Sequence, residues 1–263
     1  MIILTGICYD KNSSYLKGPA QAPAIIREME SGGSANAWSE NGYHIDRNGF
    51  YTDVGDLNIE QLLPADAFAS IQIHLEELLT NQHKILTLGG DHSISFPVID
   101  SFTNHYQNLH VLHFDAHTDL YENFEDNPYS HASPFARLLE QGKLASLTQV
   151  GIRTLNGHQR NQAQRYGVNM IEMKDFNPSQ ILSLTAPLYI SLDMDVLDPA
   201  FAPGVSHHEP GGMSVRDLIH VIQQIDADVV GCDIVEYNPL RDWNGQTAMV
   251  AYKLMKELMV KML

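Results

Sequence analysis

The sequence predicts a single-domain, three-layer α/β/α fold on a mostly parallel sheet, spanning residues 1–263. Three observations predict it. Apolar runs of strand length alternate with segments whose apolar residues recur about every 3.6 positions. The 263 residues are 44% apolar, which suits one compact unit with a large core. The chemistry-bearing polar residues gather at the carboxyl ends of the strand-like runs, the edge where open α/β sheets bind ligands.

The elements follow in chain order. Met1 to Gly6 reads as a short strand and Ala22 to Met29 as a helix, with the Gly/Ser/Asn-rich stretch Ser31 to Asn41 as a surface loop. Ala65 to Leu79 has helical spacing. The strand Lys84 to Leu88 runs into Gly89-Gly90-Asp91-His92-Ser93, where paired glycines permit a tight turn and Asp91 or Ser93 caps a helix after it. Val111 to Phe114 is a buried strand, Phe135 to Gln141 a helix, and Pro187 to Leu192 a second buried strand. Val215 to Gln224 is helical, Val229 to Val235 apolar and strand-like, and Thr247 to Met262 a final helix. No linker, internal repeat or low-complexity tract interrupts them.

The densest chemistry lies at Asp115-Ala116-His117-Thr118-Asp119, with Asp193 and Asp195 closing a second apolar run. Alternate strand residues share a face at roughly 6.5 to 7 Å, so Asp115 and His117 look into one cavity. In an extended strand Asp119 would lie about 13 Å from Asp115, too far to share an ion bound at about 2.0 to 2.6 Å. The strand is therefore expected to end near His117 and curl back. His92 joins from the third strand end. The set His92, Asp115, His117, Asp119, Asp193 and Asp195 holds two imidazoles, four carboxylates and no thiolate, which favours Mn(II) over structural zinc and leaves Fe, Co and Ni open.

Each element also has an ordinary explanation. A lone histidine after Gly-Gly-Asp is commonly a cap or surface residue, and aspartates near strand ends commonly make turns. Convergence argues otherwise, because four carboxylates in one cleft repel one another without a cation.

The strings GGDHSISFP (89–97), HFDAHTDLY (113–121), YSHASPFA (129–136), SLDMDVLDPAFAPG (191–204), EPGG (209–212) and CDIVEYNP (232–239) resemble the arginase/agmatinase family, the ureohydrolases. NSSYLKGPAQAPAIIRE (12–28), TDVGD (52–56) and TAMVAYKLMKEL (247–258) resemble in particular the plant-type arginases and their bacterial relatives. The resemblance runs almost end to end. It implies an arginase-like fold, two Mn(2+) per chain, and a trimer or hexamer. It implies that one manganese is held by His92, Asp115, Asp119 and Asp193 and the other by Asp115, His117, Asp193 and Asp195, so that Asp115 and Asp193 bridge. Glu236 matches the family's guanidinium-binding glutamate and His131 its proton-shuttling histidine. On their own residues, Glu236 reads more readily as a solvated strand end, and His131 reads equally as a helix-start residue.

A guanidinium is resonance-stabilised and always protonated, so neutral water does not attack it. A two-metal site lowers the pKa of bound water toward about 7 and aims the resulting hydroxide. Asp119 would accept a hydrogen bond from that hydroxide, Glu236 would clamp the planar substrate, and His131 would protonate the departing amine. The family implies arginine or agmatine as substrate, with guanidinobutyrate, guanidinopropionate and formimidoylglutamate as alternatives. Animal-type arginases carry an Asn near the Tyr121 position and acids near Thr154 and Asn156, so their amino-acid contacts do not transfer. His207, assigned to substrate binding, stands where much of the family has Thr in a TGTP-like segment. A single-zinc deacetylase of related architecture and a non-catalytic metal-stabilised assembly partner are the other classes.

The formal net charge of −16 argues against nucleic acid and favours a small cationic substrate, although solubility alone explains it equally well. Cys8 and Cys232 both fall in apolar runs, predicting free buried thiols. The first residues lack a basic n-region and no apolar run approaches the roughly 18 residues of a membrane span, which predicts a cytoplasmic protein with no membrane contact.

Overall fold

The computed structural model describes residues 1–47, 49–179 and 184–263. Its strands are β1 (Ile2–Cys8), β2 (Tyr51–Asn58), β3 (Lys84–Leu88), β4 (His110–Phe114), β5 (Ser146–Ile152), β6 (Asn169–Glu172), β7 (Leu188–Asp193) and β8 (Val229–Val235). Its α-helices are α1 (Ala22–Ser31), α2 (Pro64–Leu79), α3 (Ser95–His105), α4 (Pro134–Gln141), α5 (Gly157–Tyr166), α6 (Val215–Gln224) and α7 (Gln246–Lys261).

Period-two patterning puts helices on both faces of the sheet. Ile2 and Leu4 of β1, Leu112 and Phe114 of β4, and Leu188, Ile190 and Leu192 of β7 pack with α1, α6 and α7. Their alternates, Ile3, Ile7, Val111 and Tyr189, pack with α2, α3, α4 and α5. With both faces covered, the strands pair in the order β2-β1-β3-β8-β7-β4-β5-β6 and every pairing is parallel.

The expected helices form, beginning at Pro64 and Pro134 where proline at the first position pre-sets the helical φ. Ser214 caps α6 in a reciprocal box with Asp217. The sequence expectation places a helix after Ser93, where α3 forms, and omits β2, β5, β6 and α5. The reasons are physical: β2 is a polar, half-exposed edge strand, β6 has 4 residues, and α5 carries GHQRNQAQRY with little apolar spacing. The regular strand β4 ends at Phe114, and pairing with the chain after β5 continues through Ala116 to a bridge between His117 and Thr154, so the chain leaves the sheet near His117 as expected. Gly89 and Gly90 also serve close packing. A Cβ on Gly90 would lie 1.7 Å from the Tyr9 carbonyl oxygen, and one on Gly89 would lie 2.5 Å from Ile94. Both cysteines are free and buried, as expected. No helix among the described residues is long and apolar enough to cross a membrane.

Candidate active site

Four adjacent strands, β3, β8, β7 and β4, point their carboxyl ends at one cleft. β3 delivers His92, β8 delivers Glu236, β7 delivers Asp193 and Asp195, and β4 delivers Asp115, His117 and Asp119. Chain-distant residues thereby become neighbours. Asp91 accepts from Ser93 N at 3.0 Å and holds the short turn that aims His92 inward. Asp119 and Glu236 adopt left-handed backbone, φ 50° and 62°, a conformation unfavourable for side-chain-bearing residues that concentrates at functional sites.

On the pocket floor, His92 Nδ1 lies 2.9 Å from Asp119 Oδ2, 3.1 Å from Asp193 Oδ2 and 3.2 Å from Asp115 Oδ2. His117 Nδ1 lies 3.0 Å from Asp195 Oδ2 and 3.4 Å from Asp115 Oδ1. Asp115 thus turns one oxygen to each imidazole. Asp193 Oδ2 faces the His92 group while its Oδ1 accepts from Asp195 N at 2.7 Å. All six side chains named from the sequence converge here.

Electrostatics describes a cluster lacking positive charge. Burial pushes Asp193 well above the carboxylate range, helped by Asp195 and Asp115, and burial with Asp115 pushes Asp195 up to about 6. His92, against the effect of its own burial, is raised by Asp115, Asp119 and Asp193. Its Nδ1 is buried with no hydrogen-bond partner among the described residues. An oxygen-rich, thiolate-free set around an unpartnered imidazole nitrogen fits divalent cations.

Residues beneath the floor carry no signal of their own in the sequence motifs. Gln149 Nε2 donates to His113 Nδ1 at 3.0 Å, so His113 Nε2 carries the hydrogen that it donates to Asp115 Oδ2 at 2.8 Å. Ser191 Oγ donates to Asp233 Oδ1 at 2.7 Å and is left to accept from His92 Nε2 at 3.1 Å, which turns the Nδ1 lone pair toward the cluster. Only period two could have found them, since His113 and Ser191 each sit two residues before a named aspartate.

Above the floor opens a cavity of about 250 Å³ lined by His131, His207, Glu236, Glu209, Tyr121 and Ser14, among others, with no lysine or arginine. His131 Nδ1 meets Glu236 Oε1 at 2.8 Å, and the same oxygen accepts from His92 N at 2.8 Å. Glu236 Oε2 and His207 Nε2 have no hydrogen-bond partner among the described residues. Burial pulls the His131 imidazole down, but the Glu236 carboxylate outweighs it and raises it to about 9. Despite its burial, Glu236 is correspondingly lowered by His131. His207 packs its ring 5.5 Å from that of His131 and 5.6 Å from that of Tyr15. Glu209 Oε1 stands 3.5 Å from His117 Nε2.

The family model described as Arginase family matches residues 1–261. The chain belongs to the arginase family. Arginase 1, mitochondrial, of Arabidopsis thaliana is 44% identical over 98% of this chain and 80% of its own length. An agmatinase of Bacillus subtilis (strain 168) is 31% identical over 98% of this chain and 90% of its own. Arginase from Medicago truncatula superposes with a TM-score of 0.94 at 42% identity, covering 99% of this chain and 87% of that one. Against this arginase-family background, positions 154 and 156 are Thr and Asn rather than acids, and the carboxylate on the Nε2 side of His117 belongs to Glu209.

Proposed function

We propose that this chain is a manganese-dependent ureohydrolase that cleaves L-arginine to urea and ornithine, with agmatine, giving urea and putrescine, as the second reading. The carrying observation is the juxtaposition, across one small cavity, of a buried His/Asp cluster with Glu236 Oε2, a buried carboxylate oxygen with no partner among the described residues. Arginine stands first because the plant arginases share more identity than the agmatinases. Agmatine stays because no cationic side chain lines the cavity to meet a carboxylate.

His92, Asp115, Asp119 and Asp193 would hold one Mn(2+), and Asp115, His117 and Asp195, with Asp193 shared, the other. Bound there, the two cations would acidify a water and direct it at the guanidino carbon. Glu236, ionised at neutral pH, offers Oε2 to a guanidinium N–H as a charge-assisted acceptor while Oε1 stays anchored by His92 N and His131. Asp119, oriented by its left-handed backbone, is placed to take a proton from the attacking oxygen. The alkylamine must be protonated as it leaves, and His131, raised to about 9 and so charged at neutral pH, supplies that proton. His207 closes the side of the cavity and offers Nε2 to the substrate's remaining N–H groups.

One assay tests the reading. The purified chain loaded with Mn(II) is offered arginine, agmatine, guanidinobutyrate and formimidoylglutamate, and urea or formamide is measured. Release from arginine or agmatine is expected; product from formimidoylglutamate alone, or from none, overturns it. Metal analysis giving one ion per chain would favour the single-zinc deacetylase, in which two Asp and one His suffice. Residues 1–263 acting as one catalytic unit, assembly as a trimer or hexamer, and a cytoplasmic location consistent with two free thiols are parts of the same proposal. Light scattering and cell fractionation test the last two; a monomer or an organellar protein would remove them.

A further inference from the structure

The loop after β1 is drawn over the site by Gly90, whose missing side chain admits the Tyr9 backbone. Asn12 N donates to Asp91 Oδ2 at 2.9 Å, Asn12 Nδ2 to Ser93 Oγ at 3.0 Å, and His131 N to the Asn12 carbonyl at 3.2 Å. This anchoring fixes the next residues against the imidazole. Ser14 Oγ lies 2.8 Å from His131 Nε2, and Ser14 N donates to the same nitrogen at 3.1 Å, a bond that the neutral imidazole with its hydrogen on Nδ1 accepts. His131 is buried, whereas Ser14 is exposed and lines the cavity. Both imidazole nitrogens are therefore engaged by protein: Nδ1 by Glu236, Nε2 by Ser14.

We propose that the Ser14 hydroxyl is the proton relay between His131 Nε2 and the cavity during departure of the amine, a step that rests on the ureohydrolase reading above. As the C–N bond breaks, its electron pair stays on the amine nitrogen. Ser14 Oγ–H passes to that nitrogen while Nε2–H passes to Oγ, so the serine ends unchanged and the imidazole ends neutral with its Nδ1 hydrogen still on Glu236. Water recharges Nε2 by the same path. The proton account closes: the attacking water loses both protons in becoming the urea oxygen, and the amine nitrogen, which carries one hydrogen in the guanidinium, gains two to leave as an ammonium, one of them through Ser14. A hydroxyl suits both halves of the exchange, accepting from imidazolium and donating to imidazole. Glu236, Asp91, Asp119 and His207 are the charged or titratable groups facing His131 from the neighbouring elements, and none of them is altered by a substitution at Ser14.

The test compares Ser14→Ala and Ser14→Thr on two substrates: the guanidine, whose amine leaves only when protonated, and its S-alkylisothiouronium analogue. The thiol leaving group of the analogue, with a reference pKa of about 8.5, departs without a proton. For Ser14→Ala, kcat on the guanidine is expected to fall about tenfold, a fraction of the 10²–10⁴ typical of general acid catalysis, with KM within about twofold. Its kcat on the analogue should be unchanged, and Ser14→Thr should restore the guanidine rate. The guanidine kcat–pH profile of Ser14→Ala should also change shape, which a purely structural contact would not produce. Equal losses on both substrates, or no loss on the guanidine, would overturn the relay while leaving the hydrolase intact. Wild type inert on both substrates would sink the two together.

Discussion

The floor and the mouth of the cavity are built differently. Ends of four adjacent strands supply the floor, and their spacing is set by the sheet; His92, Asp115, Asp193 and Asp195, at or just past those ends, are each less than 4% exposed. Loops supply the mouth: Ser14, Tyr121 and Thr154 come from three separate loops, and His207 and Glu209 from a fourth. Rigid elements place reactive groups more accurately than loops do, so the floor carries the chemistry and the mouth carries selection.

The sharpest way to break this contrast is at the floor. Asp193→Asn is expected to lower urea release by at least about 10³-fold and to reduce bound metal, because a carboxylate among mutually dependent ligands is lost. Unchanged metal content by elemental analysis would remove Asp193 from the ligand set. One level higher, Glu236→Gln should keep both ions but lower kcat/KM by about 10²-fold, mostly through KM, as a charge-assisted contact becomes a neutral one. A large loss of metal instead would make Glu236 part of the floor.

The His131–Glu236 pair joins the two levels and gives a pH signature. The His131 imidazole is raised from about 6.5 to about 9, so its stabilising contribution is fully present below about 6.5 and is lost as the pH rises through about 9. The difference in unfolding free energy between wild type and His131→Gln should therefore shrink by about 3 kcal/mol at most between pH 6.5 and pH 10. A difference constant with pH, measured by denaturant titration with metal in fixed excess, would contradict the ion pair. Gly90→Ala tests how the mouth is fastened to the floor. Its Cβ would press on the Tyr9 backbone, costing about 2 kcal/mol and displacing the Ser14 loop, so melting temperature and kcat should fall together. The smallest effect is expected at Glu209, half-exposed and 3.5 Å from His117. Glu209→Gln should weaken Mn(2+) affinity less than tenfold, and a larger loss would make Glu209 a direct support of the floor.

Legibility divides along the same line. The floor is readable because buried strands are apolar, end where the apolar run ends, and expose the next two or three side chains at one sheet edge; Asp115 and Asp193 need only that rule, whereas His92, four residues past β3, needs their convergence as well. The mouth is not. Ser14 touches His131 across a separation of 117 residues, and nothing in the spacing of NSSYLKGP encodes it. Glu236 and His131 emerge only through the family resemblance, since a solvated strand end explains the first better and a helix start explains the second equally well. In the fold, Lys84 to Leu88 and Val229 to Val235 form as expected, whereas the edge strand Tyr51–Asn58 escapes notice, because its exposure removes the apolar signal.

The backbone at Asp119 and Glu236 bears on how this protein responds to selection for heat resistance. A left-handed residue with a β-carbon costs roughly 1–2 kcal/mol that glycine avoids and asparagine partly relieves. Screens that reward folding alone should therefore enrich Gly or Asn at these two positions, returning chains that melt later and release no urea. Both locations thus exchange thermal margin for turnover, and a library sorted first by melting point and then by product would separate the two.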